Sequence, residues 1–342
     1  MKTAVILFNL GGPDRPEAIK KFRLNLFSDK AIIRAPWFVR VWLSRLIAAS
    51  SARAAMENYK LMGGKSPLLG LTQKQAAALE AMLGTQYRCF IAMRYWHPFA
   101  REVVRDVKDW APDRVILLPL YPQFSTTTTG SSLSDWREAA VKADLMAPVT
   151  TICCWFDDAA YIGAMANMVK TAIVSARTEK PNVKLRVLFS AHGLPETIVK
   201  KGDPYQAQIE KTSQAVAAYL ADFGVDWRVC YQSRATPQKW LEPNIVDEIK
   251  EAGKDGVGVV VVPIAFVSDH IETLVELDIE NRHLAESSGV PIYVRAAVGN
   301  DNPEFIQALA GLIQRCSQNG LCRGGSICGS HKDCPWEKII EA

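Results

Sequence analysis

Short runs of apolar, β-branched residues alternate along the chain with longer amphipathic segments. Each run predicts a strand buried on both faces, as in a parallel sheet. The runs occupy Thr3–Asn9, Arg88–Tyr95, Val115–Tyr121, Val149–Trp155, Leu185–Ser190, Trp227–Gln232, Val257–Ile264 and Ile292–Ala297. Segments with helical periodicity lie between them, such as Thr72–Leu83, Tyr161–Arg177 and Tyr205–Phe223. This alternation predicts an α/β fold with crossover helices and eight strands divided four and four.

The two halves of the chain are similar to each other. VILFNLGGP (5–13) resembles VLFSAHGLP (187–195), and VILLPLYPQ (115–123) resembles VVVVPIAFV (259–267). Arg88 in the first half corresponds, more weakly, to Arg228 in the second. Val5 and Arg88 are 83 positions apart, whereas Val187 and Arg228 are 41 apart, so the first half has about 42 extra residues (83 − 41). We therefore predict related halves at 1–150 and 151–312, an insertion at 26–66 in the first half, and a cysteine-rich tail at 313–342.

The insertion contains a predicted helix, 37–49, that is apolar on nearly all sides. Arginines are interspersed with its apolar residues or flank them, among them Arg34, Arg40 and Arg45. Two interpretations are open. The helix packs into the core, or it forms an apolar lip over a cleft, with the arginines facing carboxylates or membrane headgroups.

Composition narrows the class of protein. With 342 residues and 49% hydrophobic content, the chain can bury a large core or two ordinary ones. The net charge of +4 is too small to indicate nucleic-acid binding. The N-terminal MKTAVILFNLGGP lacks a small-residue cleavage site, and no stretch reaches the roughly 18 apolar residues of a membrane span. We expect a soluble cytosolic protein with reduced thiols.

An acidic segment follows the seventh predicted strand. Glu272, Glu276 and Glu280 are four residues apart, and Asp269 and His270 precede them. On a helix this spacing places the carboxylates along one face, and a wider π-type turn aligns them better. The row is either a solvated acidic face or a route for a cation or protons. Its place at a strand's carboxyl end, where ligands bind in open α/β sheets, favours the second interpretation.

Polar motifs follow other strands. His192 ends the fifth strand and precedes Gly193, so its ring is expected to face a cleft as a base or a transient metal ligand. MRYWHP (93–98) suits a flat anionic ligand, and YPQFSTTTTGSSL (121–133) is a hydroxyl-rich loop that can bind phosphate. The chain has neither G-x-G-x-x-G after its first strand nor a Walker lysine, which argues against a nucleotide.

Four tail cysteines have an even spacing. Cys316, Cys322, Cys328 and Cys334 are each six positions apart, and glycines lie between them. Disulfides are disfavoured in the cytosol, and the C-x2–4-C pairs of structural zinc sites are absent. The pattern favours a [2Fe–2S] cluster. Zinc, thiols without a metal, and His331 as a substitute ligand remain alternatives.

Several of these stretches resemble ferrochelatase, the enzyme that inserts ferrous iron into protoporphyrin IX. The matching segments cover nearly the whole chain in family order: NLGGP (9–13), MRYWHP (93–98), YPQFSTTTTGSSL (121–133), FSAHGLP (189–195), KGDPY (201–205), YQSRATPQKWLEP (231–243) and PIAFVSDHIETLVELDIE (263–280). The resemblance implies a type II chelatase fold of two Rossmann-like halves without a nucleotide.

The resemblance also implies roles for individual residues. His192 and Glu272 flank the metal-insertion site, and Asp269, His270, Glu276 and Glu280 accompany them as a metal or proton relay. The positions that match the porphyrin cleft of the family are Leu10, Tyr59, Ser66, Arg94, Tyr95, Ser125, Trp240 and Phe266. Some members take one cluster ligand from the YPQxS segment, but this chain has Thr126–Thr129 there. All four cluster ligands are therefore expected from the tail.

Metal insertion into a porphyrin suits these residues. A base and a carboxylate relay can take the two pyrrole protons that leave before the metal binds. Bending of the macrocycle exposes the nitrogen lone pairs to the metal. A cobalt chelatase and a haem- or metal-carrying binding protein are the rival functions. We expect cytoplasmic protein, peripheral at the inner membrane surface if 26–66 contacts lipid. Protoporphyrin and coproporphyrin remain alternative substrates.

Overall fold

A computed structural model describes residues 1–234 and 238–319. Within these residues, eight strands form two parallel sheets of four. The strands are β1 Thr3–Asn9, β2 Tyr87–Met93, β3 Arg114–Pro119, β4 Val149–Thr151, β5 Leu185–His192, β6 Asp226–Gln232, β7 Gly258–Pro263 and β8 Tyr293–Arg295. The predicted α/β class and the division into four and four are confirmed.

The two sheets have the same topology. Their strand orders are β2-β1-β3-β4 and β6-β5-β7-β8, so the first strand of each half lies between the second and the third. All six strand pairings are parallel. The similarity between the two halves of the sequence therefore corresponds to a repeated fold.

Helices join the strands. They are α1 Ile19–Ser28, α2 Trp37–Lys60, α3 Leu68–Leu83, α4 Ala100–Trp110, α5 Thr129–Lys142, α6 Ala159–Glu179, α7 Glu196–Val199, α8 Tyr205–Ala218, α9 Ile245–Lys254, α10 Asn281–Ser287 and α11 Pro303–Asn319. A π-helix, Glu272–Glu280, precedes α10. Between β1 and β2 lie α1, α2 and α3, whereas the short α7 and α8 join β5 to β6. The extra length of the first half is thus helical.

The chain divides into two compact units, Met1–Trp155 with Leu309–Ala342, and Phe156–Ala308. In the first unit, one side of the sheet packs its buried Ile6 and Leu117 against Val104 of α4. In the second, Val259 and Val261 of β7 pack with Leu277. Each sheet is buried by helices, which explains why its strands are continuously apolar.

Some elements are shorter than their apolar runs. The run 149–155 pairs as a strand only through Thr151, and Trp155 then donates its ring Nε1–H to the carbonyl of Pro119 at 2.9 Å. The helix predicted to Phe223 ends at Ala218, and the chain turns through Gly224, whose φ of +57° is left-handed.

Helix α2 exposes several large apolar side chains to solvent. Trp37 is 70% exposed, Trp42 is 64% exposed and Phe38 is 61% exposed. Its buried positions are chiefly small, such as Ser44, Ala48 and Ala55. The interpretation of 37–49 as a core helix is therefore wrong. No helix in the described part of the chain is long and apolar enough to span a membrane.

The last helix leads into the cysteine-rich tail. Arg114 donates Nη1–H to the carbonyl of Ser317 at 2.7 Å, and Tyr87 donates its hydroxyl to Ser317 Oγ at 3.2 Å. A guanidinium beside the last carbonyls of a helix is electrostatically favourable. These contacts join the end of α11 to the amino ends of β2 and β3.

Candidate active site

The acidic row lies on the π-helix. Strand β7 ends at Pro263, and the π-helix begins at Glu272. The backbone N–H of Asn281 donates to the carbonyl of Glu276, five residues earlier, which is the hydrogen-bond pattern of a π-helix. The structure thus contains the wider turn that the spacing of the three glutamates suggested.

His192 and Glu272 meet, as predicted, although they come from different strand ends. His192 Nε2 lies 4.0 Å from Glu272 Oε1. On the other side of the carboxylate, His270 Nε2 lies 3.5 Å from Glu272 Oε2. Burial alone would raise the pKa of Glu272, but the electrostatic interaction with His192 and the hydrogen bond and electrostatic interaction with His270 lower it to about 2. Glu272 is thus an ionised carboxylate between two imidazoles.

Glu276 has a different environment. Its carboxylate accepts hydrogen bonds from the side-chain amide of Gln232 at 3.1 Å and from the backbone N–H of Ser233 at 3.1 Å. The Ser233 hydroxyl donates to it as well. Burial and the charge of Glu272 raise the pKa of Glu276, and these donors only partly oppose that rise. Glu276 is therefore the more readily protonated of the two carboxyl groups.

Two predicted members of the relay, Asp269 and Glu280, have different surroundings from Glu272 and Glu276. Asp269 pairs with Arg295 Nη1 at 3.2 Å and accepts from Asn300 Nδ2 at 2.8 Å and from Thr273 Oγ1 at 2.9 Å. It holds the loop before the π-helix in place. Glu280, at the other end of the π-helix, is exposed to solvent.

Aromatic rings flank the two histidines. The indole of Trp240 lies nearly parallel to the His192 ring, with centroids 6.4 Å apart and an interplanar angle of 28°. Phe266 packs edge-on against His270, with centroids 4.6 Å apart. Both aromatic residues were predicted to line a porphyrin site, and each lies beside one of the two histidines.

In the first unit, Arg94 and Tyr95 bind one buried carboxylate. Arg94 Nη2 lies 2.9 Å from Asp29 Oδ2, and the Tyr95 hydroxyl donates to the same oxygen at 2.7 Å. Ser131 also donates to Asp29, and Arg94 Nε donates to Ser131 Oγ at 2.7 Å. Burial would raise the pKa of Asp29, but Arg94 and the hydrogen-bond donors lower it. A cavity of about 310 Å³ adjoins this cluster, lined by Asp29, Arg94 and Asp135 among others.

The other predicted cleft residues also lie in the first unit. Leu10 follows β1 and packs against Tyr95 and its neighbours. Tyr59 is buried on α2, and Ser125 is buried in the hydroxyl-rich loop, where its hydroxyl lies 2.8 Å from Thr127 Oγ1. Ser66 donates its backbone N–H to the carbonyl of Pro13 at 2.8 Å.

Sequence reasoning missed several residues that shape these sites. Asp29, Ser131, Gln232 and Ser233 each contact a predicted site residue. Ser233 had a usable signal, since it lies in the YQSRATPQKWLEP segment from which only Trp240 was chosen. Asp29 had none, because its partner Arg94 is 65 positions away.

No three histidine, cysteine, aspartate or glutamate side chains converge to hold a metal ion within 1–234 and 238–319. Cys316 is buried near the end of α11. Cys322, Cys328, Cys334 and His331 lie outside the described residues.

Solved structures share this fold. SirB from Bacillus subtilis with Fe3+ aligns with a TM-score of 0.52 at 13% identity, over 94% of this chain and 97% of that one. The sirohydrochlorin chelatase SirB from Bacillus subtilis subspecies spizizenii, in complex with cobalt, aligns with a TM-score of 0.51 at 12% identity, over 96% and 99%. The fold class is therefore that of the type II chelatases.

Sequence comparison identifies the family. The model of the family Ferrochelatase matches residues 2–317. The chain is 48% identical to the ferrochelatase of Caulobacter vibrioides (strain NA1000 / CB15N) over 342 aligned residues, covering 98% of this chain and 96% of that protein. It is 50% identical to the ferrochelatase of Phenylobacterium zucineum (strain HLK1), covering 91% and 90%. The chain belongs to the ferrochelatase family, and it is an enzyme that inserts iron into a porphyrin.

Proposed function

We propose that this chain inserts Fe²⁺ into protoporphyrin IX and releases protohaem and two protons, the final step of haem biosynthesis. The observation that carries the proposal is the meeting of His192, the last residue of β5, and Glu272, which follows β7, at 4.0 Å. Membership of the ferrochelatase family supports the same reaction. Iron is the substrate here, so the site need not hold a resident metal.

The proposed chemistry uses each group according to its ionisation. His192 accepts a pyrrole proton as the general base. Glu272, whose pKa is about 2, stays ionised and stabilises the imidazolium that forms. Glu276, whose pKa is raised, takes protons onward from the centre. Fe²⁺ replaces the two protons in the macrocycle, so the charge balances without a redox step.

Eight residues are proposed to contact or shape the porphyrin site: Leu10, Tyr59, Ser66, Arg94, Tyr95, Ser125, Trp240 and Phe266. Asp269, His270 and Glu280 are proposed to support metal or proton movement. For Asp269 this support is indirect, since Arg295 already neutralises its carboxylate.

An anaerobic absorbance assay with Fe²⁺ tests the function. Protoporphyrin IX and coproporphyrin are supplied separately, and Co²⁺ replaces Fe²⁺ in a parallel series. We expect protohaem to form catalytically. Faster turnover with coproporphyrin would identify coproporphyrin as the substrate. A preference for cobalt would indicate a cobalt chelatase, and stoichiometric binding without turnover would indicate a carrier.

We further propose that Cys316, Cys322, Cys328 and Cys334 hold a [2Fe–2S] cluster. The even spacing and the expected reducing compartment support the cluster. The buried thiol of Cys316 would be one ligand at the end of α11. When bound, such a cluster would cross-link the tail, and we expect its effect to be on stability.

Anaerobic purification tests the cluster. Red-brown protein with about two irons and two sulfides per chain is expected for this cluster type. Each Cys→Ser change should remove the colour, whereas Cys89→Ser, on β2, should keep it. Colourless protein with bound zinc would refute the cluster.

We also propose that the exposed apolar part of α2 contacts a membrane surface. Trp37, Phe38 and Trp42 are exposed there, and Arg40 and Arg45 lie on the same helix. Such a face suits an anionic lipid interface. Trp42→Glu should reduce sedimentation with anionic vesicles, and Tyr219→Glu, at an exposed aromatic on another surface, should not. Equal sedimentation of the two variants would contradict the proposal.

A further inference from the structure

Gln232 and Ser233, where β6 ends, contact both proposed proton acceptors. The backbone carbonyl of Gln232 lies 3.5 Å from His192 Nδ1. Its side-chain amide donates to Glu276 Oε2 at 3.1 Å. The same dipeptide therefore adjoins the base and the second carboxylate of the relay.

The Gln232 side chain is itself held in one orientation. It is buried, and its Oε1 accepts a hydrogen bond from Ser190 Oγ at 2.7 Å. Because the side-chain oxygen of Gln232 accepts a hydrogen bond from Ser190 on β5, the side-chain N–H of Gln232 points to Glu276. The carbonyl of Gln232 is also fixed, because the backbone N–H of Gly193 donates to it at 2.8 Å. A Cβ at position 193 would lie only 3.0 Å from this oxygen, so glycine permits the close approach.

Ser233 has an uncommon backbone conformation. Its φ is +64°, in the left-handed region that residues other than glycine rarely adopt. In this conformation its backbone N–H donates to Glu276 Oε1 and its hydroxyl donates to Glu276 Oε2. Unfavourable backbone conformations persist where surrounding contacts over-determine them, and they cluster at functional sites.

We propose that Gln232 and Ser233 are positioning residues for proton removal, an inference that rests on the proposed iron insertion. They fix the Glu276 carboxylate with three neutral donors, and the carbonyl of Gln232 lies beside His192. The three donors come from one side-chain amide, one backbone N–H and one hydroxyl, so together they set the orientation of both carboxylate oxygens. The two residues act through Glu276 and do not touch the reacting atoms.

Steady-state kinetics of Ser233→Ala test this role. Partners that orient a functional ligand typically contribute 10–100-fold, so kcat should fall about tenfold or more. The KM for porphyrin and the melting temperature should stay close to wild type. Ser233→Gly also lacks the hydroxyl but relaxes the backbone, and it replaces the alanine variant if that protein does not fold. Ser287→Ala, on the exposed surface of α10, is the matched control and should retain full activity.

A double-mutant cycle with Glu276→Gln separates positioning from a structural role. If Ser233 acts through Glu276, adding Ser233→Ala to Glu276→Gln should lower kcat by less than about twofold, because coupled residues are non-additive. An equal loss in both backgrounds, a KM rise that matches the kcat loss, or a parallel fall in melting temperature would overturn the inference. Wild-type protein that does not insert iron would overturn the proposed function instead.

Discussion

The two sheets share one topology but present different carboxylates beyond their strand ends. In the first unit, Arg94 follows β2 and forms an ion pair with Asp29 at 2.9 Å. In the second, Ser233 follows the equivalent strand β6 and donates to Glu276 at 3.1 Å. The first carboxylate thus has a cationic partner, whereas the second is held by neutral donors.

This difference gives the two carboxyl groups opposite pKa shifts. Both are desolvated, but Arg94 helps to bring the pKa of Asp29 below its ordinary value. Glu276 faces the negative Glu272, and its pKa is raised. A carboxylate neutralised by a guanidinium is a poor proton acceptor, and one beside another carboxylate is a better one. The repeated fold thus provides a fixed ion pair in one half and proton-accepting groups in the other.

Removing the base in the second unit should have the largest effect on activity. His192→Ala is expected to lower kcat by about 10²–10⁴-fold, the usual contribution of general acid–base catalysis. Porphyrin binding, measured by fluorescence quenching, should persist. His283→Ala, an exposed histidine on α10, is the control. If His192→Ala keeps turnover within about tenfold of wild type, the base is a different group.

Breaking the ion pair in the first unit should lower stability. Asp29→Asn removes the nearer charged partner of the Arg94 guanidinium, whose side chain is only 21% exposed, and leaves only the carboxylate of Asp135 at 3.8 Å. We expect a loss of about 2–4 kcal/mol in the free energy of unfolding at neutral pH, measured by urea denaturation. Glu138→Gln, which breaks an exposed pair with Lys142, should cause no measurable loss.

The difference in the free energy of unfolding between wild type and Asp29→Asn should depend on pH. Because the pKa of Asp29 is lower folded than unfolded, its stabilisation is present above the unfolded carboxyl pKa of 3.8. It is lost as the pH falls through the folded value. The difference between wild type and Asp29→Asn should therefore be constant near neutral pH and shrink below about pH 4. A difference that does not change with pH would show that Asp29 does not act through its charge.

Local patterns were sufficient for most of the fold. Strand β1 has the predicted bounds, Thr3–Asn9, because a continuous apolar run identifies a doubly buried strand. The meeting of His192 and Glu272 was predictable because His192 ends one strand and Glu272 follows another strand of the same parallel sheet, and the carboxyl ends of such strands lie at the same edge.

The polar partners were not predictable in the same way. Asp29 and Ser131 are 102 positions apart, and no local periodicity encodes such a pairing. Asp269 pairs with Arg295, although its place just before the acidic row suggested that it would accompany the three glutamates. The left-handed backbone of Ser233 carries no sequence signature, because serine is not the residue that this conformation favours.

Among the three glutamates of the π-helix, replacing the one at the outer end should have the smallest effect on kcat. Glu272 is flanked by two imidazoles, Glu276 is held by Gln232 and Ser233, and Glu280 is exposed to solvent. Exposure lets water serve as an alternative proton acceptor at Glu280. We therefore expect kcat to fall most in Glu272→Gln, less in Glu276→Gln, and within about threefold of wild type in Glu280→Gln, well below a general-base contribution.

Rates at saturating Fe²⁺ and porphyrin measure this order, and Glu286→Gln, an exposed glutamate on α10, controls for the loss of one surface charge. A KM for Fe²⁺ that rises in Glu280→Gln at unchanged kcat would assign the outer carboxylate to iron capture, since only binding would then be affected. A larger kcat loss at Glu280 than at Glu276 would contradict the proposed order, because burial and neighbouring donors would then not decide which carboxylate accepts the proton.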